Sequence, residues 1–586
     1  MSAFDVWAPA AQRVRLSLTG GAEPAQVELT DVGQGRWHVD APDAEPGADY
    51  AFLLDDDDTS LPDPRSRWLP SGVHGPSRVY DDTAYEWSDG SWTGRQLAGS
   101  VIYELHIGTF TPGGTFDTAI ERLDHLVELG IDLVEVLPIG SWGGSYNWGY
   151  DGVAWYAAHE AYGGPDGFKR FVDACHGRGL AVVLDVVYNH LGPSGNYLDR
   201  FGPYFSDATN PANPWGRTIN LDGPGSYEVR RHIVDNALMW LADFHVDALR
   251  LDAVHALVDT SAVGILEQLA EEVDALSSHL RRPLSLIAES DLNDPRLVRS
   301  RQAGGSGLTA QWSDDFHHAL HALLTGERQG YYADFGGIAA FARVLRRVFV
   351  HDGTWSSFRG RTHGRAVDTM RTPGWKFLAY LQNHDQVGNR AAGDRISDTL
   401  SPGLLKVGAA LVMTSPFTPM IFMGEEWAAS TPWQFFTSHI EPELAANIAA
   451  GRRAEFAAHG WPETEVADPQ DPATFQRSKL DWDELEKDTH AELLDFHRRL
   501  IALRHARPEL TDPLVEHVEV RYDEDRRWLV VHRGIVAVVV NLAPERTAIP
   551  IEAWPREMLL ASERGFVYGE GQVEIDAESV VVIRTG

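Results

Sequence analysis

From residue 101 onward the chain repeats one pattern: an apolar run of strand length, then a stretch with helical periodicity, then another apolar run. Eight such runs can be read, at 101–107, 133–138, 181–187, 246–252, 284–289, 309–315, 377–383 and 419–424. Alternation of this kind describes βα units, which lay their strands side by side in a parallel sheet, and eight units suffice to close a barrel. One intervening helix is legible in detail at 117–130. Asp117 is its expected N-cap, Ile120, Leu123, Leu126 and Val127 form one apolar stripe, and Gly130 is the expected stop. Long inserts follow the third run, at 191–226, and the sixth, at 317–375; in a barrel both lie on the face where the strands end and would shape a groove there.

The flanks read differently. The first ninety residues carry short alternating runs at 4–7, 13–18, 26–29, 37–40 and 50–54, separated by Gly, Pro and Asp turns, which is the pattern of a small β-sandwich. Residues 61–80 (LPDPRSRWLPSGVHGPSRVY) are too irregular for a strand or helix and are expected to lie as an ordered connector against the barrel. The acidic run 55–58 is expected to be a solvated turn, nonspecific attraction of a cation by its adjacent carboxylates being the alternative. Past residue 506 alternation returns at 528–532, 535–541, 558–561 and 579–585. The expected fold is α/β, a (β/α)8 TIM barrel flanked by an N-terminal β-sandwich and a C-terminal all-β domain, divided at 1–95, 96–510 and 511–586. A length of 586 residues exceeds what one core usually supports.

Charge narrows the partners. Lys and Arg total 50 against 85 Asp and Glu, a formal charge of −35, so nucleic acid and anionic membranes would be repelled and neutral polymers fit better. The 19 Trp residues supply flat faces suited to sugar rings, although most are expected to fill cores. The single cysteine, Cys175, excludes an intrachain disulfide and points to the reducing cytoplasm. It falls in a helix-period stretch, 167–178, remote from every strand end, which suits a small buried residue rather than a catalytic thiol. The N-terminal stretch has no basic segment followed by an apolar one, and no apolar run approaches 18 residues, so a soluble cytoplasmic protein is expected.

Four of the stretches end in acidic or imidazole side chains: 184–190 (LDVVYNH), 248–255 (ALRLDAVH), 286–291 (LIAESD) and 381–390 (LQNHDQVGNR). Strand-end residues of a barrel converge on one mouth, so Asp252, Glu289 and Asp385 would meet there, and three carboxylates in one pocket point to glycoside chemistry. Arg250, two residues before Asp252 on the same strand, shares its face. His190 and His384, at strand ends, are expected to donate hydrogen bonds to sugar hydroxyls as neutral rings. No His-x-x-x-His pair or Cys ligand accompanies them, which argues against a metal. Asp185 is either a buried structural acid paired with Arg250 or a direct substrate contact.

The order and content of these stretches resemble the four short conserved regions of the α-amylase superfamily, glycoside hydrolase family thirteen. The resemblance implies that Asp252 is the nucleophile, Glu289 the general acid/base and Asp385 the third carboxylate, which grips ring hydroxyls of the sugar in the cleavage subsite. Tyr150, within 148–151 (WGYD), matches the tyrosine that stacks under that sugar, a core aromatic being the alternative. Retaining hydrolysis places nucleophile and acid about 5 to 5.5 Å apart, which successive strand ends can provide. Burial beside two aspartates would keep Glu289 protonated, while Arg250 would hold Asp252 ionised. Many α-amylases hold calcium near the residue matching Asn189, but no loop ligands are legible here, so no metal and no cofactor are expected.

Longer runs are more particular. Residues 288–296 (AESDLNDPR), 311–335 (QWSDDFHHALHALLTGERQGYYADF), 384–395 (HDQVGNRAAGDR), 422–436 (FMGEEWAASTPWQFF) and 468–482 (DPQDPATFQRSKLDW) are similar to the maltooligosyltrehalose trehalohydrolase family. The similarity implies cleavage of the α-1,4 bond next to the terminal trehalose of maltooligosyltrehalose, a substrate range within α-1,4-glucans, and coupling to a maltooligosyltrehalose synthase. Asp314, Asp315, His317, His318, His255, Gln386 and Asn389 are then expected to bind substrate, with polar groups placed to tell trehalose from maltose. Alternatively, 314–318 (DDFHH) braces its loop. The 61–80 segment also resembles the N-terminal carbohydrate-module-like domain of glycogen branching enzymes, the runner-up; the resemblance implies a packing role for it, with sugar binding as the alternative. Those enzymes carry an acid after the third carboxylate, where this chain has Gln386, a departure that favours hydrolysis. A catalytically silent glucan-binding protein is disfavoured by the intact carboxylates.

Overall fold

The structure, a computed structural model, describes residues 2–19, 25–42, 44–206, 213, 215–458, 466–552, 554–569 and 571–586. Part of the expected insert 191–226, namely 207–212 and 214, lies outside the described residues.

Eight parallel strands close into a barrel in chain order: Ile102–Leu105, Leu133–Val136, Ala181–Val186, Ala248–Leu251, Ser285–Ala288, Ala310–Trp312, Phe377–Ala379 and Thr418–Phe422, the last pairing with the first. Each of the eight apolar runs forms a strand, and each strand is shorter than its run, because the residues that follow bend out toward the mouth. Asp252 and Glu289 stand immediately after their strands, and Asp385 is the second residue of the helix His384–Gly388.

The pleat sorts the strand residues into two shells. Leu249, Leu251, Leu286 and Ala288 face the surrounding helices, while Ile102, Leu133, Ala181, Val183, Ala248, Ile287, Leu378 and Met420 fill the barrel interior. Two residues further along the inward-facing rows the interior turns polar: Glu104, Glu135, Asp185, Arg250 and Glu289 continue from Ile102, Leu133, Val183, Ala248 and Ile287. An apolar plug thus carries a charged layer on its upper side. Burying that layer costs free energy unless its members pair with one another.

The expected helix at 117–130 is two helices, Phe116–Ile120 and Leu123–Leu129. Thr115, not Asp117, is the cap, because its hydroxyl reaches the Thr118 N–H at 3.3 Å; Asp117 instead pairs with Arg170 at 2.8 Å. Gly130 ends the second helix at φ 94°, as expected. Cys175 is fully buried, next to last in the helix Gly164–His176, and burial raises its thiol pKa well above the usual range.

At the N-terminus, Ser2–Trp7, Arg36–Ala41 and Thr30–Gly33 form one sheet, and Ala25–Glu28, Val14–Thr19, Asp49–Leu54 and Ser77–Arg78 a second. They meet through Phe4 and Tyr50, whose ring centroids are 4.8 Å apart. The connector runs along the barrel, pinned by Arg65 to Asp235 (2.9 Å), Arg67 to Asp243 (2.8 Å) and Trp68 to Glu160 (2.9 Å). C-terminally, Val518–Asp523, Trp528–Arg533, Val536–Asn541, Ser579–Thr585 and Pro555–Ala561 form a five-stranded sheet beside a three-stranded one. Arg504, buried at this junction, donates to the carbonyls of Met413, Ser415, Leu510 and Phe417. Among the described residues no helix is long and apolar enough to cross a membrane.

Candidate active site

Arg250 is the hub of the charged layer and is completely buried. Its Nη1 donates to both oxygens of Asp185 (3.0 and 2.8 Å) and to Oδ1 of Asp252 (2.7 Å), and its Nη2 lies 3.8 Å from Oε2 of Glu289. The guanidinium rests over Trp312, 4.4 Å from the ring centroid. The second oxygen of Asp252 accepts from Asn189 Nδ2 at 2.7 Å. Two fixed donors therefore orient this carboxylate.

Ala253 follows in a left-handed conformation (φ 40°, ψ 50°) and donates its N–H to Oε2 of Glu289 at 2.6 Å. Burial pushes Glu289 up to about 8; Arg250 opposes this, and Asp252, Asp314 and Asp385 add to it. At neutral pH Glu289 is mostly a neutral acid beside Asp252.

A continuous chain of contacts leads away from Arg250. Asp185 accepts from the Tyr150 hydroxyl at 2.6 Å, and burial raises its pKa to about 6 against the pull of Arg250. The Tyr150 oxygen lies 2.8 Å from His384 Nε2, its ring stacked on the imidazole with centroids 5.2 Å apart. On the far side His384 Nδ1 meets Glu104 Oε1 at 2.6 Å, and the His384 backbone N–H donates to Glu104 Oε2 at 2.9 Å. Burial disfavours charge on His384, but Asp385 and Glu104 outweigh it and lift the pKa to about 9. His384 is therefore not the neutral ring expected from the sequence but an imidazolium that donates from both nitrogens, because Asp385 and Glu104 face it.

Asp385 is the open carboxylate, its side chain 42% exposed. Asn389 Nδ2 donates to Oδ1 at 3.0 Å, and His384 Nε2 is 3.4 Å from Oδ2. The helix carrying it is capped by Asn383, which accepts from the Gln386 N–H at 2.8 Å. Gln386 Oε1 is buried with no partner among the described residues. Asn389 Oδ1 accepts from Arg452 at 2.9 Å.

His190 Nδ1 lies 2.5 Å from Asn189 Oδ1, and burial lowers the His190 pKa, so the ring is neutral. Both Asn189 side-chain atoms are engaged inside the protein, Nδ2 by Asp252 and Oδ1 by His190, and among the described residues no group of three or more His, Cys, Asp or Glu is arranged to hold a metal ion. Trp215, 53% exposed on the insert after the third strand, stands beside the rings of His190 (6.2 Å) and His255 (6.3 Å).

The expected run 314–318 divides. Asp314 is close enough to Glu289 and Asp385 to feel their charge, accepts from the Tyr380 hydroxyl at 2.6 Å, and is raised by burial to about 6. Asp315 is committed elsewhere, accepting from the backbone N–H groups of Val350 (2.7 Å) and His351 (2.9 Å). His317 spans the Leu381 carbonyl (2.7 Å) and the Tyr332 hydroxyl (3.0 Å), and His318 is buried against Tyr331 and Phe335. The bracing alternative thus describes the polar contacts of Asp315 and His317.

Several neighbours were not read from the sequence. Glu104 and Glu135 could have been: each interrupts an apolar strand at an inward-facing position. Both carboxyl oxygens of Glu135 lack a partner among the described residues, and burial, then Glu104 and Asp185, raise its pKa well above the carboxylate range. Trp215 and Arg359, whose Nη1 reaches Asp291 Oδ2 at 2.8 Å, sit in aperiodic inserts that carry no such signal.

A profile described as the alpha amylase catalytic domain matches residues 76–214, and a domain of unknown function, DUF3459, matches 513–582. The malto-oligosyltrehalose trehalohydrolase of Mycobacterium tuberculosis (strain ATCC 25618 / H37Rv) is 54% identical, covering 100% of this chain and 99% of that protein. A crystal structure from Salmonella typhimurium, provisionally assigned as an alpha amylase, superposes with a TM-score of 0.90 at 37% identity, covering 100% of this chain and 97% of its own. A 1,4-alpha-glucan branching enzyme of Bacillus caldolyticus is more distant, at 28% identity over 74% of this chain and 65% of that enzyme.

Barrel, carboxylates and profile together define a glycosidase of the α-amylase superfamily. Within that class, full-length identity of 54% settles the branch: the chain belongs to the malto-oligosyltrehalose trehalohydrolase family.

Proposed function

We propose that the protein hydrolyses, with retention, the α-1,4 bond next to the terminal trehalose of maltooligosyltrehalose, releasing trehalose and a maltooligosaccharide. One observation carries the mechanism: Glu289, a neutral acid at pH 7, is bonded to the residue following Asp252, whose carboxylate is held by Arg250 and Asn189. In this reading Asp252 attacks the anomeric carbon as Glu289 protonates the departing trehalose oxygen. Glu289, now ionised, then takes a proton from water as that water displaces Asp252. Two inversions give net retention.

Asp385, open and flanked by the His384 imidazolium, accepts hydrogen bonds from ring hydroxyls. Tyr150 and His190 border the same sugar, and Asp185 with Arg250 holds the nucleophile in place. Asp314, His255, Gln386 and Asn389 are the residues we assign to the trehalose side, while Asp315, His317 and His318 act there through the loop they brace. The same reading divides the chain at 1–95, 96–510 and 511–586. The implied substrate lacks a free reducing end, so a maltooligosyltrehalose synthase must act first; a cytoplasmic setting suits the lone buried Cys175.

Product analysis on maltooligosyltrehalose beside a maltooligosaccharide of equal length tests the assignment. Trehalose should dominate the products, with the first substrate strongly preferred. Equal rates, or new α-1,6 branches in amylose, would overturn it.

A further inference from the structure

A cavity of about 340 Å3 opens where the N-terminal sandwich, the connector, the insert after the third barrel strand and the helix Ser226–Ala242 meet. Asp5, Trp7, Arg36, Asp63, Arg65 and Tyr204 line it, and none of the residues at the barrel mouth does. Its volume lies at the lower end of the range for small-ligand sites.

The walls are polar but internally paired. Arg36 is forked onto both oxygens of Glu228, and Arg65 holds Asp235 at 2.9 Å. Asp63 accepts from the Tyr50 hydroxyl and from the Arg65 N–H, each at 2.8 Å. Tyr204 stands out. It is only 5% exposed, the charges of Arg65, Asp63, Glu228 and Arg36 in the cavity wall act on its phenol, and its hydroxyl has no hydrogen-bond partner among the described residues. The ring is buried, but the hydroxyl keeps accessible surface at the cavity that Tyr204 lines, so it can bond to a ligand without breaking a bond within the protein.

The lining selects the partner's chemistry. Four acids, Asp5, Asp63, Glu228 and Asp235, against two arginines repel an anion. An apolar molecule would strip these groups of water and return no hydrogen bonds. A ring bearing several hydroxyls can donate to the carboxylates, accept from the guanidinium groups and reach the Tyr204 oxygen. Trp7, edge-on to Tyr204 with centroids 5.4 Å apart, lines the same cavity and adds an apolar contact for such a ring. We propose that this seam binds a glucosyl unit of a neutral sugar, at a site separate from the barrel mouth. Tyr204 and Trp215 belong to one insert, so a sugar held here would clamp the N-terminal module to the loop that reaches His190 and His255. The proposal does not depend on the roles assigned at the mouth.

Calorimetry or saturation-transfer NMR with trehalose and maltose, on full-length Glu289→Gln protein to prevent turnover, tests it. The expected result is a binding event that Tyr204→Phe weakens about fivefold or more and that Asp385→Ala leaves unchanged. Asp5→Asn, at the exposed rim, should weaken the same event and guards against a folding artefact at Tyr204. Sugar binding insensitive to both Tyr204→Phe and Asp5→Asn overturns the proposal, as does binding of spermidine in the absence of any second sugar event, which would make the seam a cation site.

Discussion

Ala253 donates its backbone N–H to Oε2 of Glu289 at 2.6 Å from a left-handed conformation that non-glycine residues rarely adopt. The residue after Asp252 thereby ties one strand end to the next and holds the Glu289 carboxyl, while the side chains of Arg250 and Asn189 hold that of Asp252. Strain at Ala253 is offset by a short hydrogen bond to a buried carboxyl.

Replacing either carboxylate should remove turnover without unfolding the protein. Asp252→Asn and Glu289→Gln are each expected to lower kcat by roughly 10²- to 10⁴-fold while leaving the protein folded, as circular dichroism would show. Proton NMR of the reducing end released by the parent should show the α-anomer first. An initial β signal would rule out Asp252 as nucleophile.

The pH dependence follows from Glu289. Its protonated form is the active one, so kcat/KM should fall about tenfold per pH unit above about 8. The stability consequence has a definite sign. A carboxyl whose folded pKa is raised favours the folded state fully at pH below its unfolded value of about 4.5, and that contribution is lost as pH rises through about 8. Glu289→Gln, which mimics the protonated acid, should therefore gain stability relative to the parent between pH 5 and pH 9. Parallel denaturation curves at the two pH values measure this, and an unchanged difference would contradict the raised pKa.

Glu104 should prove a positioning residue. Glu104→Gln removes the charge that faces His384 Nδ1 at 2.6 Å, so the His384 pKa should drop from about 9 toward its ordinary range. Loss of a hydrogen bond to a charged group, about 1.5 to 3 kcal/mol, would lower kcat roughly tenfold to a hundredfold at neutral pH. Titration of the His384 ring by NMR separates this from a general loss of structure.

Arg504 should matter for stability alone. It satisfies four carbonyls at the junction between barrel and C-terminal sheet, and burial lowers its pKa to about 9. Arg504→Met leaves those carbonyls unpaired and should cost about 3 to 5 kcal/mol in denaturant unfolding, with kcat per folded molecule unchanged at 25 °C.

The barrel was legible in the residues because a strand buried on both faces must be an apolar run, and eight such runs separated by amphipathic stretches admit few folds. Asp252, Glu289 and Asp385 could be placed for the same reason: each stands where an apolar run ends, and strand ends of a closed barrel meet at one mouth. Helix limits were less legible. Asp117 and Thr115 are both competent caps, and only the position of the Thr118 N–H chose between them.

What the sequence by itself determined is therefore the architecture and the convergence of the carboxylates, since both follow from periodicity along one strand or helix. What only the tertiary structure decided is the state of each group. Glu104 and His384 are 280 residues apart, as Arg250 and Asp185 are 65 apart, and their charges depend on distances that no local pattern encodes. The division of 314–318 has the same origin: Asp314 sits among the carboxylates and Asp315 turns to the backbone of Val350 and His351 because neighbours on a helix point about 100° apart.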